Sequence, residues 1–118
     1  MRYLSAGRGL DDLADGAMTE LWLEDFRVLL ARVGDVCYAA DAACPHMGGR
    51  LAHGHLEGTI VTCPRHGSQF DLKDGQVVRW LKGSGPVPRF FTWLKPPRRL
   101  RTYNVKIERG EVLVAVPD

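Results

Sequence analysis

The chain has 118 residues, of which 45% are hydrophobic and 25% charged, the composition of one globular domain rather than a disordered or coiled-coil protein. A formal net charge of +2 predicts no nucleic-acid-binding and no membrane-binding surface. No apolar run is long enough to cross a bilayer, and residues 1–7 lack the apolar core of a signal peptide. We therefore expect one cytoplasmic domain over residues 1–118.

Residues that favour β-strands recur at short intervals. In chain order, the predicted elements are a strand at 18–23, a hairpin at 26–39, a strand at 59–62, a hairpin at 69–80 and a hairpin at 100–116. The turns fall at Gly34–Asp35, Lys73–Gly75 and Glu108–Gly110. Such short strands with regular turns predict an all-β, antiparallel sandwich or barrel.

Apolar residues of these strands make up the expected core: Trp22, Leu23, Val28, Leu30, Val36, Tyr38, Ile60, Val78, Val105, Val112 and Val114.

Two loop segments between the strands combine cysteine with histidine. Cys44-Pro45-His46 and Cys63-Pro64-Arg65-His66 are separated by sixteen residues, and glycine follows each motif. Glycine permits tight turns and close approach of the backbone to a bound group. Three cysteines are an odd number and too few for a disulfide scaffold, so the pattern favours metal binding.

Two kinds of metal centre fit two thiolates and two imidazoles. One is a tetrahedral zinc ion. The other is a [2Fe–2S] cluster with both cysteines on one iron and both histidines on the other. Zinc fingers usually place two cysteines in one half of the motif and two histidines in the other, whereas each half here is mixed. The mixed halves favour the two-iron cluster, because each loop can then contact both irons.

The two motifs, extended to Cys44–Gly49 and Cys63–Asp71, resemble those of the Rieske family. The similarity covers roughly residues 8–80 and the final hairpin. The resemblance implies a Rieske-type sandwich or barrel with a small cluster-binding lobe at about 41–68, and an irregular insertion at about 81–99.

The resemblance also implies one [2Fe–2S] cluster per chain, with Cys44 and Cys63 on the inner iron and His46 and His66 on the outer iron. Neutral imidazoles in place of two thiolates leave the oxidised centre about neutral and the reduced one about −1, which eases reduction relative to an all-thiolate cluster. Further residues expected beside the cluster are Gly48, Ser68, Phe70 and Pro86.

The surroundings of the cluster predict a low-potential, ferredoxin-type centre. In high-potential relatives, a serine and a tyrosine hydroxyl donate to the cluster, and a cysteine pair bridges the two loops. Here Ser68 keeps the serine, but Phe70 stands at the tyrosine position. The bridging positions hold Gly49 and Arg65, so no bridge can form.

By resemblance, the chain is a one-electron carrier between a flavoprotein reductase and an oxygenase or other acceptor, with redox proteins and no small molecule as partners. We do not expect it to be an enzyme itself, because 118 residues leave no room for an oxygenase domain with a 2-His-1-carboxylate iron site. Two alternatives remain: an accessory subunit of a larger reductase of the nitrite reductase type, and a zinc-stabilised interaction module.

The segment 80–101 is rich in proline, aromatic residues and arginine, and two interpretations of it stay open. It is either a docking surface for an acidic redox partner or a flap with solvated arginines.

Overall fold

The computed structural model describes residues 1–45, 49–65, 67–79 and 98–117. These residues form two short 3-10 turns, Leu10–Asp12 and Leu51–His53, and no helix among them could cross a membrane. They also form eleven strands: β1 (Arg2–Gly9), β2 (Met18–Leu23), β3 (Phe26–Val33), β4 (Val36–Asp41), β5 (His55–Glu57), β6 (Ile60–Thr62), β7 (Gln69–Asp71), β8 (Val77–Arg79), β9 (Thr102–Tyr103), β10 (Val105–Glu108) and β11 (Glu111–Val116).

The strands form three sheets, and every pairing between them is antiparallel. The first sheet has the order β1-β11-β10, the middle sheet β2-β3-β4-β9, and the third sheet β5-β6-β7-β8. The predicted all-β antiparallel class is therefore confirmed. The division of the chain into a lobe at 41–68 and an insertion at 81–99 stays a prediction; nearly all of the latter range lies outside the described residues.

The middle sheet is buried on both faces. Along β3, Val28 and Leu30 pack into one core with β11 of the first sheet, whereas Leu29 and Ala31 pack into a second core with the third sheet. All four side chains are completely buried. A strand covered on both faces has a continuous apolar run rather than an alternating one, and residues 28–31 have this pattern. The middle sheet thus packs against the first sheet on one face and the third sheet on the other.

The hairpins at 26–39 and 69–80 are confirmed, with small differences at their ends. The predicted continuous strand from residue 100 to 107 is wrong. The chain passes from β9, which pairs with β4, to β10, which pairs with β11, and Asn104 stands between the two strands. Sequence preference cannot show this change of sheet, because residues on both sides of Asn104 favour strands equally.

Two strands were not predicted. β1 pairs along β11 as an edge strand of the first sheet, although its sequence contains two glycines and two arginines. β5 lies within residues 41–58, whose four glycines and few strand-forming residues predict a loop, and it pairs with β6. Tertiary pairing overrides the weak strand preference of both segments.

The expected core is correct for Leu23, Val28, Leu30, Val112 and Val114, which are all buried. It is wrong for Trp22, Val36 and Val78, which are 65%, 48% and 52% exposed. Trp22 and Val78 lie on edge strands, and Val36 follows directly after a turn, where one face of the chain remains in solvent.

We expect Leu29→Ala to lower the free energy of unfolding by about 2–5 kcal/mol, because it leaves a cavity between the middle and third sheets. Trp22→Ala is the control and changes this free energy by about 1 kcal/mol or less, since most of the ring is in solvent. Urea denaturation followed by circular dichroism compares the two. A larger loss for Trp22→Ala would contradict the assignment of the core.

Candidate metal centre

Two loops, the first over 44–49 and the second over 63–68, close in the same way. The Cys44 N–H donates to the Gly49 carbonyl at 2.8 Å, and the Cys63 N–H donates to the Ser68 carbonyl at 2.7 Å. The residues just outside each loop also pair, Ala43 with Arg50 and Thr62 with Gln69. Both loops therefore span the same number of positions, and each begins with its cysteine.

The loops bring Cys44 and Cys63 into one core. Each cysteine is only 3% exposed, and both belong to the core between the middle and third sheets. The two loops touch there, because a Cβ atom on Gly49 would lie 2.7 Å from Cys63 Sγ. Only a residue without a side chain fits at position 49, so the first loop can close over the sulfur of the second.

The two loops and their buried cysteines, Cys44 and Cys63, form a site that we call the cradle. The cradle fits an iron–sulfur group. Thiolates are the preferred ligands of such clusters, and two buried thiolates need bound cations to compensate for the loss of water. Within the described ranges no three histidine, cysteine or acidic side chains form a metal-binding group. His46, His66, Gly48 and Pro86 lie outside those ranges, so their expected roles stay predictions.

Cys37, the third cysteine, lies on the opposite side of the middle sheet. It is buried in the core shared with β11, and burial raises the pKa of its thiol above the ordinary value. The thiol is consequently neutral near pH 7 and acts as a small apolar side chain.

The residues that were expected beside the cluster are buried wherever the structure describes them. Ser68 and Phe70 are completely buried, and Phe70 is paired with Val61 across the third sheet. Arg65 carbons lie 3.2 Å from the position of a Cβ on Gly49, so residues 49 and 65 are adjacent in space. The two loops meet at these positions through glycine and arginine rather than through a cysteine pair.

Two arginines that the sequence analysis did not single out as loop anchors hold the loops from outside. Arg79 donates through Nε and Nη2 to the Gly67 carbonyl at 3.1 and 3.0 Å. Arg98 donates through Nη2 to the Pro45 carbonyl at 2.8 Å. The hairpin register could have indicated Arg79, because it pairs with Gln69 beside the second loop. No local signal indicates Arg98, which is 53 residues from its partner.

Comparison with known proteins identifies the family to which this chain is similar. The family model for the Rieske [2Fe-2S] domain matches residues 8–91. The ferredoxin component of the naphthalene 1,2-dioxygenase system of Pseudomonas putida is 30% identical over 105 residues, which cover 89% of this chain and 88% of that one.

Two solved structures are similar over nearly the whole chain. The ferredoxin of carbazole 1,9a-dioxygenase from Nocardioides aromaticivorans IC177 superposes with a TM-score of 0.79 at 25% identity, covering 98% of both chains. A chain from the complex of reduced oxygenase and oxidised ferredoxin in carbazole 1,9a-dioxygenase superposes with a TM-score of 0.76 at 26% identity, covering 96% of this chain and 92% of that one.

The chain therefore belongs to the Rieske [2Fe-2S] domain family. It carries one [2Fe–2S] cluster and serves in electron transfer rather than as a catalyst. The predicted family, cofactor and absence of catalysis are confirmed, and neither the zinc module nor the accessory subunit is favoured.

We expect Gly49→Ala to lower the iron content by more than about half, because the added methyl group would lie 2.7 Å from Cys63 Sγ and would displace this sulfur. Iron analysis and visible absorbance of protein purified without oxygen measure the loss.

Gly58→Ala is the control for this substitution. Its Cβ meets no atom within 4 Å, but its φ of +59° makes alanine cost about 1–2 kcal/mol of stability. Full iron content in Gly58→Ala would assign the loss to the cradle rather than to general destabilisation. Full iron content in Gly49→Ala would refute the close contact between the loops.

Proposed function

We propose that this chain is the ferredoxin of an oxygenase system, which accepts one electron from a flavoprotein reductase and delivers it to a terminal oxygenase. The single observation that carries the proposal is that two loops of equal length, each closed by a backbone hydrogen bond, bring Cys44 and Cys63 into one buried core. The ferredoxin component of a dioxygenase system is similar over 88% of its own length, so the resemblance is to a complete carrier.

The proposal also rests on a structural neighbour that comes from a complex of oxygenase and ferredoxin. The neighbour's chain is of nearly the same size as this one. We extend the same type of acceptor to this chain because the folds agree over nearly the whole of both chains.

When bound, the cluster supplies a centre that takes up and releases a single electron. We propose that Cys44 and Cys63 hold its inner iron and that His46 and His66 hold its outer iron. The core that buries both cysteine sulfurs would keep water away from the inner iron. Arg79 and Arg98 restrain the loop backbone, so that little reorganisation accompanies electron transfer.

We place this carrier in the cytoplasm. Three cysteines, two of them in metal-binding motifs, are typical of a reducing compartment rather than of a disulfide-stabilised secreted domain.

The centre should have a low midpoint potential, below about +100 mV in a range of about −150 to +300 mV for such clusters. Phe70 offers no hydroxyl, and hydrogen bonds to cluster sulfurs raise the potential. Ser68→Ala should lower the midpoint further, and Ser5→Ala, in β1 of the first sheet, is the control. A midpoint above about +100 mV, or no change in Ser68→Ala, would contradict this assignment.

The proposed function is tested by reductive titration followed by mixing with an oxidised terminal oxygenase. We expect each chain to take up one electron and to pass it to the oxygenase in stopped-flow measurements, with the apoprotein as the control. Uptake without transfer, together with a stable complex with a larger reductase in gel filtration, would instead establish the accessory subunit.

A further inference from the structure

A cleft of about 460 Å³ opens beside the first loop. Ala43, Cys44 and Pro45 line one side, and the other side is formed by Asp41 and residues 98–101, which include three arginines. We call it the arginine cleft. Because Cys44 lines it, any molecule seated there lies next to a proposed cluster ligand.

The backbone beneath the arginines is fixed at two points. The Leu100 N–H donates to the Gly75 carbonyl at 2.9 Å, and the Leu100 side chain is buried in the core of the third sheet. The Asp41 N–H donates to the Arg101 carbonyl at 2.9 Å. Gly75 has a φ of +79°, and a Cβ there would overlap the Leu100 carbonyl, so glycine permits this close approach. The arginine cleft is therefore built on ordered backbone.

One of the three arginines is compensated. Arg101 Nε lies 3.2 Å from Asp41 Oδ1, and its guanidinium lies over the rings of Phe26 and Tyr103. The Tyr103 hydroxyl also donates to Asp41, and burial together with this hydrogen bond raises the pKa of Tyr103, so the phenol stays neutral. Asp41 is thereby held to its own neighbours and is not available to a partner.

The other two arginines keep their positive charge exposed. Arg98 donates to the Pro45 carbonyl, which leaves its charge uncancelled, and Arg99 extends into solvent. In the part of the chain that the structure describes, no carboxylate lies within ion-pair distance of either. Three arginines and one aspartate give the arginine cleft a net charge of +2, which equals the formal net charge of the whole chain.

We infer that the arginine cleft docks surface carboxylates of an acidic redox partner protein. The inference rests on the proposed electron-carrier function. Guanidinium groups match carboxylates in geometry and form paired hydrogen bonds with them. A patch of one charge at the rim of an interface mainly accelerates and orients encounter, which suits a carrier that must bind and leave rapidly. Docked at this cleft, the partner meets the protein beside Cys44.

The test measures how fast the reduced holoprotein gives its electron to small oxidants of opposite charge. Each chain gives one electron, which reduces ferricyanide from Fe(III) to Fe(II) or tris(phenanthroline)cobalt from Co(III) to Co(II). Rates are measured at low ionic strength, and the midpoint potential of every variant is measured so that rates are compared at equal driving force.

We expect Arg99→Glu to slow oxidation by ferricyanide at least about threefold, a small part of the 10- to 10³-fold that steering can supply, and to speed oxidation by the cobalt complex. Arg99→Lys should keep both wild-type rates, since the charge is retained. Arg109→Glu, in the exposed turn between β10 and β11, changes the net charge equally and is the matched control. Equal effects of Arg99→Glu and Arg109→Glu would overturn the inference.

Hexaglutamate is the probe for a partner's carboxylates. We expect it to inhibit ferricyanide oxidation of the wild-type protein and to lose this effect in Arg99→Glu. Equal inhibition by inorganic phosphate at matched ionic strength would make the arginine cleft a small-anion site and overturn the docking inference. Failure of the wild-type protein to reduce either oxidant would refute the electron-carrier function itself, which distinguishes the two outcomes.

Discussion

Two backbone hydrogen bonds determine where the cysteine sulfurs lie. One joins the Cys44 N–H to the Gly49 carbonyl, and the other joins the Cys63 N–H to the Ser68 carbonyl. Each closes a loop of the same span, and each loop is flanked by an antiparallel pair. A cysteine at the start of such a loop points into the core rather than to solvent, as the burial of both side chains shows. The two motifs differ in the number of residues between cysteine and histidine, but each lies in a loop closed by the same kind of backbone hydrogen bond.

The rest of the molecule supports this arrangement. The middle sheet buries Leu29 and Ala31 in one core with Cys44, Cys63 and the third sheet, and its other face packs on the first sheet. The two large cores thus form the base of the site. A bound cluster would complete the site, since the two buried cysteine sulfurs would lose their protons and bind iron there. Arg79 and Arg98 restrain the loops from the solvent side.

Patterns that are local in sequence predicted much of this structure. The sequence predicted the turn at Gly34 and Asp35, because a turn depends on a few neighbouring residues. It also predicted the metal-binding motifs, because each places cysteine and histidine within a few positions of each other. The sequence did not predict the change of sheet at Asn104 or the exposure of Trp22, because both depend on which strands lie at the edge of a sheet. The hydrogen bond from Arg98 to Pro45 joins residues far apart in the chain, and only the folded structure brings them together.

The central claim is that one cluster is held by two sulfur and two imidazole ligands, from Cys44, Cys63, His46 and His66. Pulsed electron paramagnetic resonance of the reduced protein, grown with ¹⁵N-labelled histidine, tests it most directly. The account predicts magnetic coupling of the cluster to two histidine nitrogens, and the loss of one coupling or of the cluster when either histidine is replaced. A reduced cluster with no coupled histidine nitrogen, or a folded protein that contains no iron after anaerobic purification, would contradict it.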